Sequence, residues 1–200
     1  FNYDIVGNRL NDAVLTNYQH NAANRLLENS SYTYTYDNNG NLTGQTHKIT
    51  GEHTAYAYTS GNQLKQAAMP GNVTAIYKYD PLGRRIEKNV NGVITRYVYD
   101  NEDIIAMLDG NNALLAAFTH GPGIDEPLIM KKADSNQNYY YHADGLGSIT
   151  ALSDSNGQIV ETIEYQAYGK PTIKDHTGAV FDKHRFSQSP NSHPNITSDT

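Results

Sequence analysis

Residues alternate in character with a period of two over many short stretches of this chain. Residues 32–36 read Tyr-Thr-Tyr-Thr-Tyr, which places three tyrosines on one face of an extended segment and two threonines on the other. Residues 93–99 alternate in the same way, and Tyr, Thr, Val and Ile suit half-buried strands. Residues 21–27 are the best short helical candidate, although Asn24-Arg25-Leu26 also fits a strand after a turn. The pattern predicts an all-β protein.

Several of these predicted strands end in the motif Tyr-x-Tyr-Asp-x-x-Gly. Asp suits the first position of a type I turn because its carboxylate accepts backbone N–H groups, and Gly suits the fourth, where φ is often positive. An apolar residue follows soon after, so each copy predicts a strand, a tight turn and a second strand. A copy at residues 56–61 looks one residue shorter. The defining residues are Tyr34, Tyr36, Asp37, Gly40, Tyr77, Tyr79, Asp80, Gly83, Tyr97, Tyr99, Asp100, Tyr141 and Tyr165.

The spacing of the motif is regular. The second tyrosines stand at positions 36, 58, 79 and 99, a step of roughly twenty-one residues, and a period in this range marks a repeat architecture. We therefore predict a strongly curved antiparallel sheet of hairpins with about two strands per repeat. Residues 1–185 are the predicted repeat region. Residues 186–200 are predicted to be a flexible polar tail, because Ser, Pro, Asn and Thr there bury little.

Composition narrows the functional classes. Tyrosine, at 16 copies, supplies much of the apolar bulk. We therefore expect an amphipathic sheet in which each repeat depends on packing against its neighbours for stability. The net charge is −6 with scattered Lys and Arg, which argues against nucleic-acid binding. Cysteine is absent, which excludes disulfides and thiol catalysis. No apolar run reaches the roughly 18 residues that membrane insertion requires. The first residues lie inside a repeat, so we expect a piece of a longer protein.

The later part of the chain carries a family resemblance. Residues 118–128 read Phe-Thr-His-Gly-Pro-Gly-Ile-Asp-Glu-Pro-Leu, and residues 139–152 contain His-Ala-Asp-Gly-Leu-Gly-Ser. The first segment resembles the stretch just before the last conserved block of the Rhs core, and the second resembles that block itself. With the Tyr-Asp repeats, they make residues 1–185 similar to the C-terminal part of that core in the YD-repeat or Rhs family, which includes WapA-type polymorphic toxins, C components of insecticidal toxin complexes and teneurins. The block adds His142, Asp144, Gly147, Ser148 and Gly169 to the repeat-defining residues.

The resemblance implies a spiral β-shell that, in bacterial members, holds a toxic C-terminal domain. It predicts a structural role, in which this segment helps to enclose and present a toxin or effector for secretion or contact-dependent delivery. The implied partners are the rest of the shell and the toxin, and the implied location is secreted or at the cell surface. The family's self-cleavage signatures, ending in Pro-Gly-Leu, are absent from residues 186–200. No catalytic residue and no enzyme activity are therefore predicted.

Candidate chemistry has a simpler explanation at each place. His142 and Asp144 would share a face of a continued strand, as a general base and its orienting carboxylate do. We favour a turn, in which both side chains bond to local backbone and Gly145 and Gly147 supply positive φ. The eight histidines show no tight ligand spacing. The calcium-like stretches that begin at Asp37, Asp109 and Asp154 also fit turns, and counting twelve from Asp154 gives Tyr165 where a calcium loop has Glu. We predict neither a metal nor a cofactor.

A second functional hypothesis is an extracellular carbohydrate-binding or adhesion module, in which exposed tyrosines stack on sugar rings. We favour packing of the tyrosines on one another across strands, at about 0.2–1 kcal/mol per pair. A third hypothesis is an inert relic that has lost shell closure. The Asn-x-Ser/Thr sequons at Asn29, Asn41, Asn72 and Asn195 matter only in a eukaryotic secretory route.

Overall fold

The computed structural model describes residues 2–12, 14–123, 125–166 and 169–181. Strands and turns account for the regular structure of these ranges, which contain no helix. The prediction of an all-β, antiparallel hairpin fold is confirmed. None of the described residues forms a helix that could cross a membrane. The predicted flexible tail, residues 186–200, lies outside the described residues.

The chain divides into two compact units, Phe1–Ile94 and Thr95–Thr200. In the first unit β1 pairs with β2, and each strand from β3 to β9 pairs antiparallel with the next one along the chain. The segment 21–27 is turn and strand, so the strand interpretation was the right one. The strands are β1 Asn2–Tyr3, β2 Arg9–Asn11, β3 Gln19–His20, β4 Leu26–Glu28, β5 Tyr32–Tyr36, β6 Leu42–His47, β7 His53–Tyr58, β8 Leu64–Met69, β9 Val73–Tyr79 and β10 Arg85–Val90.

The second unit is built in the same way. Each strand from β11 to β18 pairs antiparallel with the next, without a crossover. The strands are β11 Val93–Asp100, which begins in the first unit, β12 Asp103–Asp109, β13 Leu114–His120, β14 Pro127–Lys132, β15 Asn138–Ala143, β16 Ile149–Ser153, β17 Ile159–Tyr165, β18 Pro171–Asp175 and β19 Val180–Phe181.

In the first unit the tyrosines of β5, β7 and β9 lie on one face of the sheet. Tyr56 faces Ala67 on the neighbouring strand, and Ala67 in turn faces Ala75. Ala67 and Ala75 are almost fully buried, at 0% and 2% exposure, because small side chains beside large rings let the rings pack over them. Thr33 and Thr35 are exposed on the opposite face. The sheet is therefore amphipathic, as tyrosine-rich alternation predicts.

The second unit has a larger apolar core, again on one face of the sheet. Phe118 lies opposite Met130, and Met130 lies opposite Tyr139. Glu161 belongs to the same face, opposite Leu152, and is only 1% exposed. The buried cluster consists of Tyr97, Ile104, Met107, Ala116, Phe118, Met130, Tyr139, Leu152, Ile163 and Ile173.

Candidate functional site

Within the described residues of the first unit, five hairpin turns share one backbone geometry. In residues 37–41 the N–H of Asp37 donates to the carbonyl of Asn41 at 3.0 Å, and the N–H of Gly40 donates to the carbonyl of Asp37 at 3.1 Å. Gly40 has a φ of +87°, the left-handed conformation that closes a three-residue hairpin loop with a bulge. The five turns, which we call the turn row, are residues 4–8, 21–25, 37–41, 59–63 and 80–84.

The aspartate of the motif stabilises its own turn, because its carboxylate accepts hydrogen bonds from groups of that turn. Oδ1 of Asp80 accepts the N–H groups of Leu82 and Arg84, both at 2.9 Å. In the turn at residues 37–41, Oδ2 of Asp37 accepts a hydrogen bond from Nδ2 of Asn41 at 2.9 Å, and this bond holds the pKa of Asp37 below its usual value. These carboxylates are thus occupied by their own turns.

The calcium-like stretches at Asp109 and Asp154 are turns of the same kind. Oδ1 of each aspartate accepts the N–H groups two and four residues further on, at 2.8–2.9 Å. Within the described part of the chain, no group of three or more His, Asp or Glu side chains is placed to hold a metal ion.

The copy at residues 56–61 is not shortened, so that prediction was wrong. Thr59 takes the place of the aspartate, since its N–H donates to the carbonyl of Gln63 at 2.8 Å. Asn62, with a φ of +60°, takes the place of the glycine, because Asn tolerates the left-handed region. Residues 21–25 form a further turn of this kind, with Asn24 at a φ of +57°. A search for Asp-x-x-Gly misses both turns, whereas one that allows Asn or Thr at the first position and Asn at the fourth finds them.

Neighbouring turns of the row are joined by two kinds of contact, and the first is between side-chain amides. Nδ2 of Asn8 donates to Oδ1 of Asn24 at 3.0 Å. Asn41 and Asn39 both donate to Oδ1 of Asn62, at 2.9 and 3.1 Å. We call this the amide contact. It joins the first turn of the row to the second and the third to the fourth.

The second kind, which we call the carbonyl contact, joins the second turn to the third and the fourth to the fifth. The side chain after the left-handed asparagine donates to a backbone carbonyl of the next turn. Nη1 of Arg25 reaches the carbonyl of Asp37, and Nε2 of Gln63 reaches that of Gly83, both at 3.3 Å. The two kinds of contact therefore alternate along the row.

A tyrosine hydroxyl reinforces each carbonyl contact. Tyr36 donates to the carbonyl of Leu26 at 2.7 Å, and Tyr79 donates to that of Leu64 at 2.8 Å. In both pairs the acceptor is the first residue of the preceding strand. Tyr165 of the second unit repeats the arrangement with Ile149 at 2.9 Å. At these three positions the tyrosine hydroxyl thus joins the end of its own strand to the start of the strand before.

The ladder tyrosines are held in place by their neighbours. Burial raises the pKa of Tyr36 and Tyr79, and it raises that of Tyr34 to about 12. The guanidinium of Arg25 lies 5.4 Å from the ring centroid of Tyr36, and that of Arg85 lies 5.5 Å from the ring of Tyr77, distances typical of cation–π contacts. The rings and hydroxyls of these tyrosines therefore contribute to packing within the sheet.

The His-x-Asp-x-Leu-Gly-Ser block forms a hairpin turn between β15 and β16. Oδ1 of Asp144 accepts the N–H groups of Leu146 and Ser148, at 2.9 and 3.0 Å. Nε2 of His142 lies 2.8 Å from Oγ of Ser153 on β16. Asp144 therefore serves its own turn, and the hydrogen bond of the His142 ring goes to a different partner.

Of the two glycines in this block, Gly147 has the positive φ, +87°, so the expectation that Gly145 shares it was wrong. Gly169 repeats the role of Gly147, with a φ of +79° and its N–H on the carbonyl of Gln166. Asp100 faces Asp103 across the turn between β11 and β12, so this copy of the motif closes after its front half.

Two polar groups on the apolar face of the second unit were not foreseen. Among the described residues, the buried hydroxyl of Tyr141 has no hydrogen-bond partner. Its burial, with the nearby charge of Glu161, raises its pKa. The alternation of Ile159, Glu161 and Ile163 was the available signal, since it places a carboxylate on the apolar face of β17.

The repeated Tyr-Asp turns are accompanied by a match to a known protein family. Residues 1–179 match the family model described as the Teneurin YD-shell. The chain belongs to the YD-shell family. Its resemblance to Rhs and YD-repeat proteins, predicted from the motifs, is thereby confirmed.

Two relatives extend the comparison. The tRNA3(Ser)-specific nuclease WapA of Bacillus spizizenii is 29% identical over 199 residues, which is 94% of this chain and 8% of that protein. The tRNA(Glu)-specific nuclease WapA of Bacillus subtilis subsp. natto is 30% identical over 172 residues, which is 84% of this chain and 7% of that protein. The chain spans less than a tenth of either relative.

A solved structure supports the fold. The crystal structure titled TcdB2-TccC3 without hypervariable C-terminal region matches 78% of this chain and 10% of that chain, with a TM-score of 0.50 and 15% identity. At this identity the match shows the architecture, which is that of the YD-shell.

Proposed function

We propose that this YD-shell segment is a piece of wall that encloses a toxic or effector domain carried C-terminal to it. The wall presents that domain during secretion or contact-dependent delivery. One observation carries the proposal. The segment is almost equally similar to two WapA nucleases that are named for different tRNAs. A segment shared in this way supports a common structural part, with the specific activity located elsewhere in the protein.

The geometry suits a wall. Each hairpin pairs with its neighbours through backbone hydrogen bonds, and the turn row adds side-chain contacts along one edge of the first unit. In the first unit, tyrosine rings packed over Ala67 and Ala75 cover one face of the sheet, while Thr33 and Thr35 are exposed on the other. The partners we assign are the remainder of the shell and its cargo, and the location is secreted or at the cell surface as part of a larger protein.

No enzyme activity is assigned to the segment. The side chains with the most promising chemistry, His142 and Asp144, bond to Ser153 and to the backbone of a hairpin turn. Any toxic activity of the complete protein would belong to the enclosed domain.

The first experiment is the intact mass of the native protein, captured from its source with an antibody against this segment. The proposal predicts a product far larger than 22.2 kDa, the mass of this chain, with a C-terminal domain that co-purifies. A native product of about 22.2 kDa alone would rule out the container.

A second experiment tests enclosure in that native protein. Gly147→Ala strains a turn that needs a positive φ, and Gly145→Ala adds a methyl group where nothing lies within 4 Å. We expect a protease to cut the C-terminal domain faster in the Gly147→Ala protein than in the Gly145→Ala protein, because only the first weakens the wall. Equal and rapid cleavage in both variants and in the unchanged protein would contradict enclosure.

Glycan binding by the tyrosines stays a prediction. The ring of Tyr36 lies beside Arg25 and its hydroxyl is bonded to Leu26, which favours a role in the wall. A glycan array with Tyr36→Ala and Tyr79→Ala as controls separates the hypotheses, since saturable binding lost in folded variants would support adhesion.

A further inference from the structure

We propose that the turn row of the first unit contains two types of hairpin turn that recognise each other, so that each type is stabilised by a neighbour of the other type. Glycine-type turns have Asp first and Gly fourth, and asparagine-type turns have Asn or Thr first and Asn fourth. The partner for each turn is therefore a hairpin of the opposite type. The glycine-type turns are residues 4–8, 37–41 and 80–84, and the asparagine-type turns are residues 21–25 and 59–63.

The amide contact explains why a glycine-type turn needs an asparagine-type neighbour on its C-terminal side. In two of the three glycine-type turns the donor is the amide after the glycine, Asn8 or Asn41. The third has Arg84 in this place, and its guanidinium donates to Asp80 of its own turn. The acceptor is the side-chain carbonyl of the left-handed asparagine. A glycine in that place has no side chain, so a second glycine-type turn there offers no acceptor.

The donor amide is oriented by its own turn. Nδ2 of Asn8 also donates to Oδ2 of Asp4, and Nδ2 of Asn41 also donates to Oδ2 of Asp37, both at 2.9 Å. The aspartate thus leaves one amide hydrogen pointing towards the next turn. Type recognition therefore depends on the first, fourth and fifth residues of the turns.

The carbonyl contact explains the other step. The residue after the left-handed asparagine is long, Arg25 or Gln63, and reaches a backbone carbonyl of the following glycine-type turn. The tyrosine that precedes that turn donates back, to Leu26 or Leu64. The carbonyl contact and the tyrosine hydrogen bond together join one hairpin of each type. This pair of hairpins is the repeating unit of the turn row.

Tolerance of a positive φ does not explain the asparagines by itself. Glycine adopts this conformation at no steric cost, so glycine would serve at positions 24 and 62 if the backbone were the whole requirement. The acceptor that Asn62 provides is the additional property. This difference gives the experiment opposite outcomes for the two explanations.

The test compares Asn62→Gly with Asn72→Gly in the full chain. Asn72 has a φ of +58° in the hairpin between β8 and β9, and its side chain makes no hydrogen bond in the described part of the chain. Asn62→Gly removes the acceptor of two hydrogen bonds, so we expect the unfolding equilibrium constant to rise between about fivefold and thirtyfold. Asn72→Gly should change it by less than about twofold. Equal effects of the two substitutions would overturn the proposal.

A milder variant, Asn39→Ala, tests the amide contact by itself and should raise the unfolding equilibrium constant by about two- to tenfold even if Asn62→Gly folds poorly. Asn39 is exposed and its amide donates to Asn62, so Asn39→Ala removes one hydrogen bond of the contact. In a double-mutant cycle we expect Asn39→Ala and Asn62→Gly to be coupled by about fivefold. Asn39→Ala and Asn72→Gly should be additive. Additivity in the first pair would contradict recognition through the amide contact.

Discussion

The phenolic oxygen of Tyr79 lies 2.8 Å from the carbonyl oxygen of Leu64, the first residue of the preceding strand. In a β-ladder, neighbouring strands are joined by backbone hydrogen bonds. This bond joins them through a side chain, at the end of the strands next to the turn. The same relationship recurs at Tyr36 and Tyr165. It gives the second tyrosine of the Tyr-x-Tyr-Asp motif a role that phenylalanine cannot take.

Tyr79→Phe should lower the free energy of unfolding by about 0.5–1.5 kcal/mol, the net worth of one hydrogen bond. Urea unfolding of the full chain measures the change. The matched control is Tyr56→Phe, because Tyr56 is also a packed ladder tyrosine but its hydroxyl makes no hydrogen bond in the described part of the chain. An equal loss of unfolding free energy in both variants would show that the hydroxyls act through packing and not through the hydrogen bond to Leu64.

Gly147→Ala and Gly145→Ala separate the two glycines of one turn. Gly147 has a φ of +87°, so alanine there should cost about 1–2 kcal/mol. Gly145 has open space where a Cβ would stand, so alanine there should be neutral or stabilise by up to about 1 kcal/mol through the unfolded chain. Thermal unfolding of both variants checks the ranking, and a destabilised Gly145→Ala would refute it.

Local residue chemistry was sufficient to predict the hairpins. In residues 77–83 the alternating tyrosines, the aspartate and the glycine each favour the conformation that the structure adopts. The asparagine-type turns were harder, because Asn62 and Thr59 perform the same backbone roles with different side chains. Their recognition needed the φ preference of asparagine, which a fixed motif does not express.

The contacts between turns could not be read from the sequence. Asn39 and Asn62 are 23 positions apart, and they meet because the strand register sets consecutive hairpins side by side. Local preferences do not fix that register. Buried Glu161 is a different case, since period-two alternation along β17 already placed it among isoleucines.

Gly44→Ala should destabilise the first unit, although Gly→Ala in a strand is often favourable. A Cβ at this position would lie 2.7 Å from Oγ1 of Thr35 and 2.8 Å from Cε1 of His53. Both atoms are far inside ordinary contact distance, so overpacking should cost about 1–3 kcal/mol.

His53→Ala provides the control for this steric prediction. With the imidazole gone, Gly44→Ala should cost less than it does in the unchanged chain, and a double-mutant cycle measures the coupling. Part of the strain should persist through Thr35. If the cost of Gly44→Ala were the same with and without the imidazole, the clash would not be its cause.

The tyrosine ladder should make the protein sensitive to alkaline pH. An unfolded tyrosine loses its proton near pH 10, whereas burial raises the pKa of Tyr34 to about 12 and also raises those of Tyr36, Tyr56 and Tyr79. Between these values the unfolded chain has released protons that the folded chain retains, so folding loses stability as pH rises. The contribution is fully present below pH 10 and declines from there to about pH 12.

Urea unfolding at a series of pH values from 8 to about 12 measures this loss. Tyr34→Phe should flatten the decline above pH 10, because phenylalanine has no proton to release in either state. Its stability at neutral pH should fall, since Nδ2 of the buried Asn29 donates to the Tyr34 hydroxyl at 3.1 Å. The slope above pH 10 therefore reports the ionisation of Tyr34, and the stability at neutral pH reports its hydrogen bond with Asn29. An unchanged slope above pH 10 in Tyr34→Phe would mean that the phenol of Tyr34 ionises as readily in the folded chain as in the unfolded one.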